Sequence, residues 1–189
     1  MRRDLLINKL KVINLFGPPG VGKSATRSGI FWLMKCHHMS VEEVSEYAKY
    51  LVLTGRTWQL KDDQLYLLAK QHHKQLILCG RYEYAVTDSP LALCDFYAPA
   101  NYLPAFRTLV EQTEGRFENI NFYLTRDLSV GFESEGRVHD LEASTQLDAQ
   151  MRDYLSKRSI QYTEVKLDLY TPWRIVEHLR PGTAKFPIF

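Results

Sequence analysis

The sequence predicts an α/β chain in which five parallel strands form one sheet with helices on both faces, and three observations carry that prediction. Short apolar runs alternate with longer amphipathic stretches along most of the 189 residues, the order of a parallel sheet joined by right-handed helical crossovers. Between the first such run and the first such stretch lies Gly17-Pro18-Pro19-Gly20-Val21-Gly22-Lys23-Ser24. A later apolar run ends directly in Asp88-Ser89-Pro90, at the C-terminal strand end where open α/β sheets hold their ligands.

The first strand is Val12 to Phe16, short and mostly apolar, as a strand buried on both faces should be. The run after it has the full G-x-x-x-x-G-K-[ST] spacing. Its glycines allow positive φ and turn backbone N–H groups inward, Lys23 reaches β and γ phosphates, and the Ser24 hydroxyl suits Mg²⁺. A helix starting near Lys23 brings its positive dipole end to the same place, so the predicted nucleotide contacts run from Gly17 to Ala25. Ile30, Phe31, Leu33 and Met34 carry that helix on at helical spacing towards Cys36.

Ser40 to Ser45 alternates as a second strand, and Glu46 to Leu53 follows as a helix with Tyr47, Tyr50, Leu51 and Val52, ended by Gly55. From Leu60 to Leu78, residues at 65, 68, 69, 72 and 76, all apolar but His72, predict an amphipathic helix, which is favoured over Leu76-Ile77-Leu78-Cys79 as an alternative strand. Tyr84 to Thr87 is the third strand, Ile120 to Leu124 the fourth and Gln161 to Leu167 the fifth. Helices are expected from about Leu141 to Lys157 and from Trp173 to Leu179, and the tail from Pro181 to Phe189 reads as extended.

A chain of this length with 45% hydrophobic residues is expected to form one domain, residues 1–189. Its formal charge of only +2 lacks a strong nucleic-acid footprint but leaves room for a local basic groove. Three cysteines, Cys36, Cys79 and Cys94, are odd in number and unpaired in spacing, which favours reduced thiols in a cytoplasm-like compartment. No apolar stretch approaches the roughly 18 residues of a membrane span, so the expectation is a soluble intracellular protein with no membrane partner.

Phosphoryl transfer needs a metal, positive groups around the moving phosphate, and a group that orients or deprotonates the attacking hydroxyl. Asp88 is placed to hold Mg²⁺ through water or to accept the proton, helix capping before Pro90 being its structural alternative. Arg126 and Arg137 flank a stretch containing Gly131 and Gly136, which reads as a flap over about 126–140 whose guanidinium groups neutralise the developing charge; surface salt bridges are the alternative. Glu43 and Glu46 end the second strand on the same sheet edge as the loop, and either contact a substrate hydroxyl or replace Asp88 as base, a solvated charged helix start being the alternative. Arg81 and Gln71 are further substrate contacts. Tyr82, Tyr84, Phe96, Tyr97 and Tyr102 make a stacking wall for a base, or simply core. Cys36-His37-His38 and His72-His73 lack zinc spacing, so nucleotide-bound Mg²⁺ is the one metal expected.

With these pieces the chain resembles the nucleoside- and nucleotide-kinase branch of the P-loop proteins, and within it the small nicotinamide-riboside-kinase-like ATPases. The matching segments are Gly17 to Ser24, Glu46-Tyr47-Ala48-Lys49, Gln71, Asp88-Ser89-Pro90 and Arg126 with Gly136-Arg137, spanning about residues 11 to 167. The resemblance implies a three-layer P-loop kinase fold with a short lid, ATP and Mg²⁺ as cofactors, and a substrate region at about 43–80 and 89–105. It also implies an acceptor hydroxyl or phosphate on a nucleoside or nucleotide. Small kinases of this type in viral gene sets resemble enzymes that phosphorylate hydroxymethylated bases within DNA, which keeps DNA open as acceptor and a virus-infected cell open as location. An NTP-hydrolysing switch or motor ranks third, because the chain carries its own candidate arginines. Neither the acceptor's identity nor the oligomeric state is written in the sequence.

Overall fold

All but the first of the six residues in β1 (Lys11–Phe16) are buried, as expected of a strand with helices on both sides. The structure, a computed structural model, describes residues 9–125 and 141–183, with side chains in the second stretch from Thr145 onward. The remaining strands are β2 (Val41–Val44), β3 (Tyr84–Thr87), β4 (Glu118–Thr125) and β5 (Thr163–Lys166). They form one five-stranded parallel sheet in the order β2-β3-β1-β4-β5. Among the described residues the helices are α1 (Lys23–Cys36), α2 (Tyr47–Leu53), α3 (Gln59–Asp62), α4 (Gln64–Leu76), α5 (Ala92–Phe96), α6 (Phe106–Glu114), α7 (Leu141–Lys157) and α8 (Thr171–Leu179). No helix among the described residues is long and apolar enough to cross a membrane.

Register fixes what leaves the sheet where. Asn14 and Val44 both lie opposite Thr87, so Ser45 and Asp88 are the first residues past β2 and β3 at the same edge. Further along, Phe122 to Thr125 lie opposite Thr163 to Lys166.

The chain forms two compact units. One comprises the residues up to Asn14 with Val41–Ile120, the other Leu15–Ser40 with the residues from Asn121. The first has an apolar core of Leu10, Val12, Val44, Leu51, Leu67, Leu68, Ala85, Leu91, Phe106, Val110 and Phe117 among others. In the second, Phe16, Ile30, Met34, Phe122, Leu124, Met151, Leu155 and Ile175 are fully or almost fully buried. There α1 packs on α8, with Trp32 edge-on to Trp173 at 6.3 Å between ring centroids.

Three sequence expectations are corrected. The single helix over 60–78 is two, broken at Asp63, whose φ of −133° leaves the helical region while its carboxylate accepts from Tyr66 N at 3.2 Å and caps α4. A side-chain cap of this kind offsets the lost helical bonds. The buried face of α4 is also turned: it consists of Gln64, Leu67, Leu68, Gln71 and Gln75, whereas Leu65 is exposed. Apolar spacing alone missed it because three of its five members are amides. The helix favoured as far as Leu78 ends at Leu76, and the chain then runs through turns, neither helix nor the alternative strand, with Leu78 N bonded to Gln75 O at 3.1 Å and Tyr82 N to Leu78 O at 3.1 Å. The helices α5 and α6 lie where the sequence reading had none; both are short, and α6 buries only Phe106, Val110 and Thr113, too few points to show a period.

Candidate functional site

The glycine-rich loop Gly17–Ser24 belongs to the second unit. Gly17, Gly20 and Gly22 have φ of +136°, +83° and +93°, the region that side chains disfavour. At Gly17 the space is closed as well, since an added Cβ would stand 2.8 Å from Leu124 O. A turn bond from Val21 N to Pro18 O at 3.2 Å closes the loop, with Val21 itself buried. The Lys23 ammonium donates to Gly17 O at 2.7 Å and Pro18 O at 3.0 Å, which seats a full positive charge inside the loop. α1 begins at Lys23 with no acidic residue in its first turn, so its N–H groups and dipole favour an anion. Ser24 and Ala25 are exposed on that turn.

Beside the loop lies a segment that the sequence reading passed over. Leu167 packs against Gly22, its Cδ2 3.0 Å from where a Cβ would be, and Leu169, 86% exposed, and Tyr170 follow it. Asp168 holds this turn. It accepts from Arg174 Nη1 at 2.9 Å and Nη2 at 2.8 Å and from Tyr170 N at 2.7 Å. The Arg174 guanidinium keeps the Asp168 carboxyl below its ordinary range. The available signal was Thr171-Pro172, a proline in the first turn of α8.

In the first unit, Asp88 is 3% exposed one residue past β3. It does not cap α5, where Leu91 occupies the cap position without a side-chain bond. The turn that carries Asp88 is clamped from behind: Thr87 Oγ1 accepts from Ser89 N at 3.1 Å and from Gln71 Nε2 at 3.3 Å. Gln71, 2% exposed, therefore reaches the strand end from α4, and its Oε1 has no hydrogen-bond partner among the described residues.

Glu43 is half-buried within β2 opposite Val86. Glu46 occupies the cap position of α2 without bonding a helix N–H. Desolvation first and the Glu46 charge second raise the phenol of Tyr97, a residue still 44% exposed. Arg81 lies exposed in the turn before β3, at the opposite end of that strand from Asp88, and the structure does not bring the two together. The expected aromatic wall is likewise dispersed. Tyr82 and Tyr84 sit at the start of β3, with Lys11 Nζ 5.2 Å from the Tyr84 ring centroid. Tyr102 is occupied in accepting from Leu65 N at 3.1 Å and packing on Phe106 at 4.9 Å. Phe96 and Tyr97 stay together, edge-on at 4.8 Å. Arg126 and Arg137, with the predicted flap, lie outside the described residues.

No family model and no curated protein matches the chain. Among solved structures it is similar to NadR protein, crystallised in complex with NAD and AMP-PNP, with a TM-score of 0.64 and 14% identity. The likeness covers 94% of this chain and 50% of that one, so the chain spans half the length of NadR. At this identity the likeness is one of fold: the parallel five-stranded sheet with its helices is a P-loop fold.

Proposed function

We propose that the chain is a phosphotransferase that uses ATP and Mg²⁺ to phosphorylate a hydroxyl or phosphate of a nucleoside- or nucleotide-type acceptor. The observation that carries this reading is Lys23, its ammonium held by Gly17 O and Pro18 O within a loop of positive-φ glycines at the start of α1. A cation in that frame meets β and γ phosphates. That NadR was crystallised with AMP-PNP and NAD supports nucleotide ligands for this fold.

In this reading the loop amides and Lys23 bind the triphosphate. Ser24 and Asp88 offer a hydroxyl and a carboxylate, the oxygen donors that Mg²⁺ accepts while keeping several waters. The ion, when bound, neutralises charge on the phosphoryl oxygens. Asp88, steadied through Thr87 by Gln71, or Glu46 orients and deprotonates the attacking hydroxyl, with Glu43 nearby on β2. Arg126 and Arg137 keep the charge-neutralising role that the sequence suggests. Leu167 to Tyr170 supply apolar surface beside the loop for a base.

The test is a screen of labelled γ-phosphoryl transfer across nucleosides, mononucleotides, nicotinamide riboside, and DNA with normal or hydroxymethylated bases. Lys23→Ala is expected to lower transfer to the best acceptor by at least about 100-fold with thermal unfolding unchanged. Near-normal transfer by that variant sinks the assignment. Rapid ATP hydrolysis without any acceptor points instead to a switch or motor.

A further inference from the structure

We infer that the surface formed by α2, the α2–α3 turn and α4 binds a single-stranded polynucleotide, with bases on its aromatic rings and phosphates on its cations. Three tyrosines there each carry a cation over the ring. Arg56 lies 5.3 Å from the Tyr50 centroid, Lys70 5.3 Å from Tyr66 and Lys74 5.6 Å from Tyr47. The rings are locked to one another: Tyr47 and Tyr50 stand 5.5 Å apart, Tyr47 and Tyr66 5.7 Å apart, and the hydroxyls of Tyr47 and Tyr66 share a 3.1 Å hydrogen bond. Arg56 is pinned as well, donating to the Tyr50 hydroxyl at 3.0 Å. Two residues on, Trp58 is 60% exposed, and Tyr50 is 47% exposed.

Charge commits this surface to a polyanion. Residues 46–74, from the α2 cap to α4, contain five Lys and Arg against Glu46, Asp62 and Asp63, a net +2 that equals the formal charge of the whole chain. One of the three carboxylates, Asp63, is spent capping α4. Exposed rings interleaved with pinned cations are the two components of sequence-tolerant single-strand binding, stacking for the bases and attraction for the backbone. A free nucleoside offers one base and no backbone, and needs none of this extent. The surface also rises from the sheet edge that carries Asp88, since β2 and β3 end level and α2 starts three residues past β2. The inference rests on the phosphotransferase reading only for the strand's role as acceptor; its binding is independent of ATP and of Lys23.

The test measures binding rather than transfer, so its failure is distinguishable from failure of the kinase reading. Anisotropy of a labelled mixed-sequence DNA 12-mer is followed with the full chain. Three phosphate contacts on a single strand predict about 20-fold weaker binding at 200 mM than at 50 mM salt. Trp58→Ala is expected to weaken binding about 5- to 100-fold, and Arg56→Glu to weaken it and flatten the salt dependence. Circular dichroism is expected to show both variants folded, their side chains being exposed. A duplex of the same sequence, its bases already stacked, is expected to bind more weakly than the single strand. Any one of four results overturns the inference: no binding at 50 mM salt, unchanged affinity in both variants, equal affinity for the duplex, or equally effective displacement by polyglutamate.

Discussion

The unit that carries the phosphate loop and the unit that carries Asp88 handle buried polarity in different ways. In the first of these the buried Tyr123 is met by a half-buried, mutually compensated charged cluster. Tyr123 donates to Asp148 Oδ1 at 2.7 Å, Arg152 lies 4.2 Å from the Tyr123 ring centroid, and the same guanidinium binds Asp148 Oδ2 at 3.1 Å and also Glu164. Burial first, and then the bond to Asp148, raises the Tyr123 phenol well above its ordinary range, so it stays a donor. In the unit with Asp88 that carboxylate is itself buried, and the buried polar groups of α4 are neutral amides, Gln64, Gln71 and Gln75, one of which reaches the strand end. The Gly17–Ser24 loop relies on backbone shape, which demands particular residue types. The turn that carries Asp88 relies on side chains that meet from distant positions, and so leaves no local motif.

That contrast can be broken from either side, and the largest expected effect is at Gly17. Gly17→Ala combines positive φ with a Cβ 2.8 Å from a backbone oxygen, whereas Gly55→Ala has φ of +71° and nothing within 4 Å. Strain alone costs about 1–2 kcal/mol, so denaturant unfolding is expected to show that cost at Gly55 and a larger one at Gly17, together with loss of ATP binding. Equal costs at both positions indicate a loop that gives way, and weaken the backbone argument.

Next comes Gln71→Ala. Removing a buried amide that bonds Thr87 is expected to cost about 1–3 kcal/mol, to lower kcat, and to leave nucleotide affinity near wild type. A change confined to nucleotide affinity contradicts the clamp on the Asp88 turn. In the other unit Tyr123→Phe removes one hydroxyl from a cluster that keeps its Asp148–Arg152 bond, so chemical denaturation is expected to register only about 1 kcal/mol.

The smallest effect is the acid response of Asp168. Its carboxyl is held low by Arg174, so the folded state binds this proton less readily than the unfolded chain. The stabilisation is complete above the ordinary aspartate value of about 4 and fades as pH falls through the lowered one. Both partners are over 40% exposed, so solvent screening keeps the contribution below about 1 kcal/mol. Comparing wild type with Arg174→Ala in urea at pH 7 and pH 3 reads it: the gap between them is expected to narrow in acid.

The strands, the phosphate loop, α1, α7 and the last helix were legible because each depends on local pattern: an apolar run, a glycine spacing, or a helical period long enough to see. The boundary at Asp63 and the face of α4 were not, because a capping carboxylate and three buried glutamines read as solvent-facing residues until their partners are known. Arg81 is expected among the substrate contacts, yet strand direction puts it at the far end of β3 from Asp88. Conversely, the turn from Leu167 to Tyr170 lies 145 positions from Gly22 in the chain, measured at Leu167, and only folding puts them in contact.

By itself the sequence determined the five strands in chain order, the long helices and a loop of the G-x-x-x-x-G-K-[ST] spacing, since these rest on φ preferences and spacings that act within a few residues. Only the tertiary structure decided which polar side chains are buried, that Gln71 braces the turn bearing Asp88, and that three cations settle over three tyrosines on one surface. Those outcomes depend on which groups meet across the fold, and a hydrogen bond or a ring contact between distant residues has no local signature.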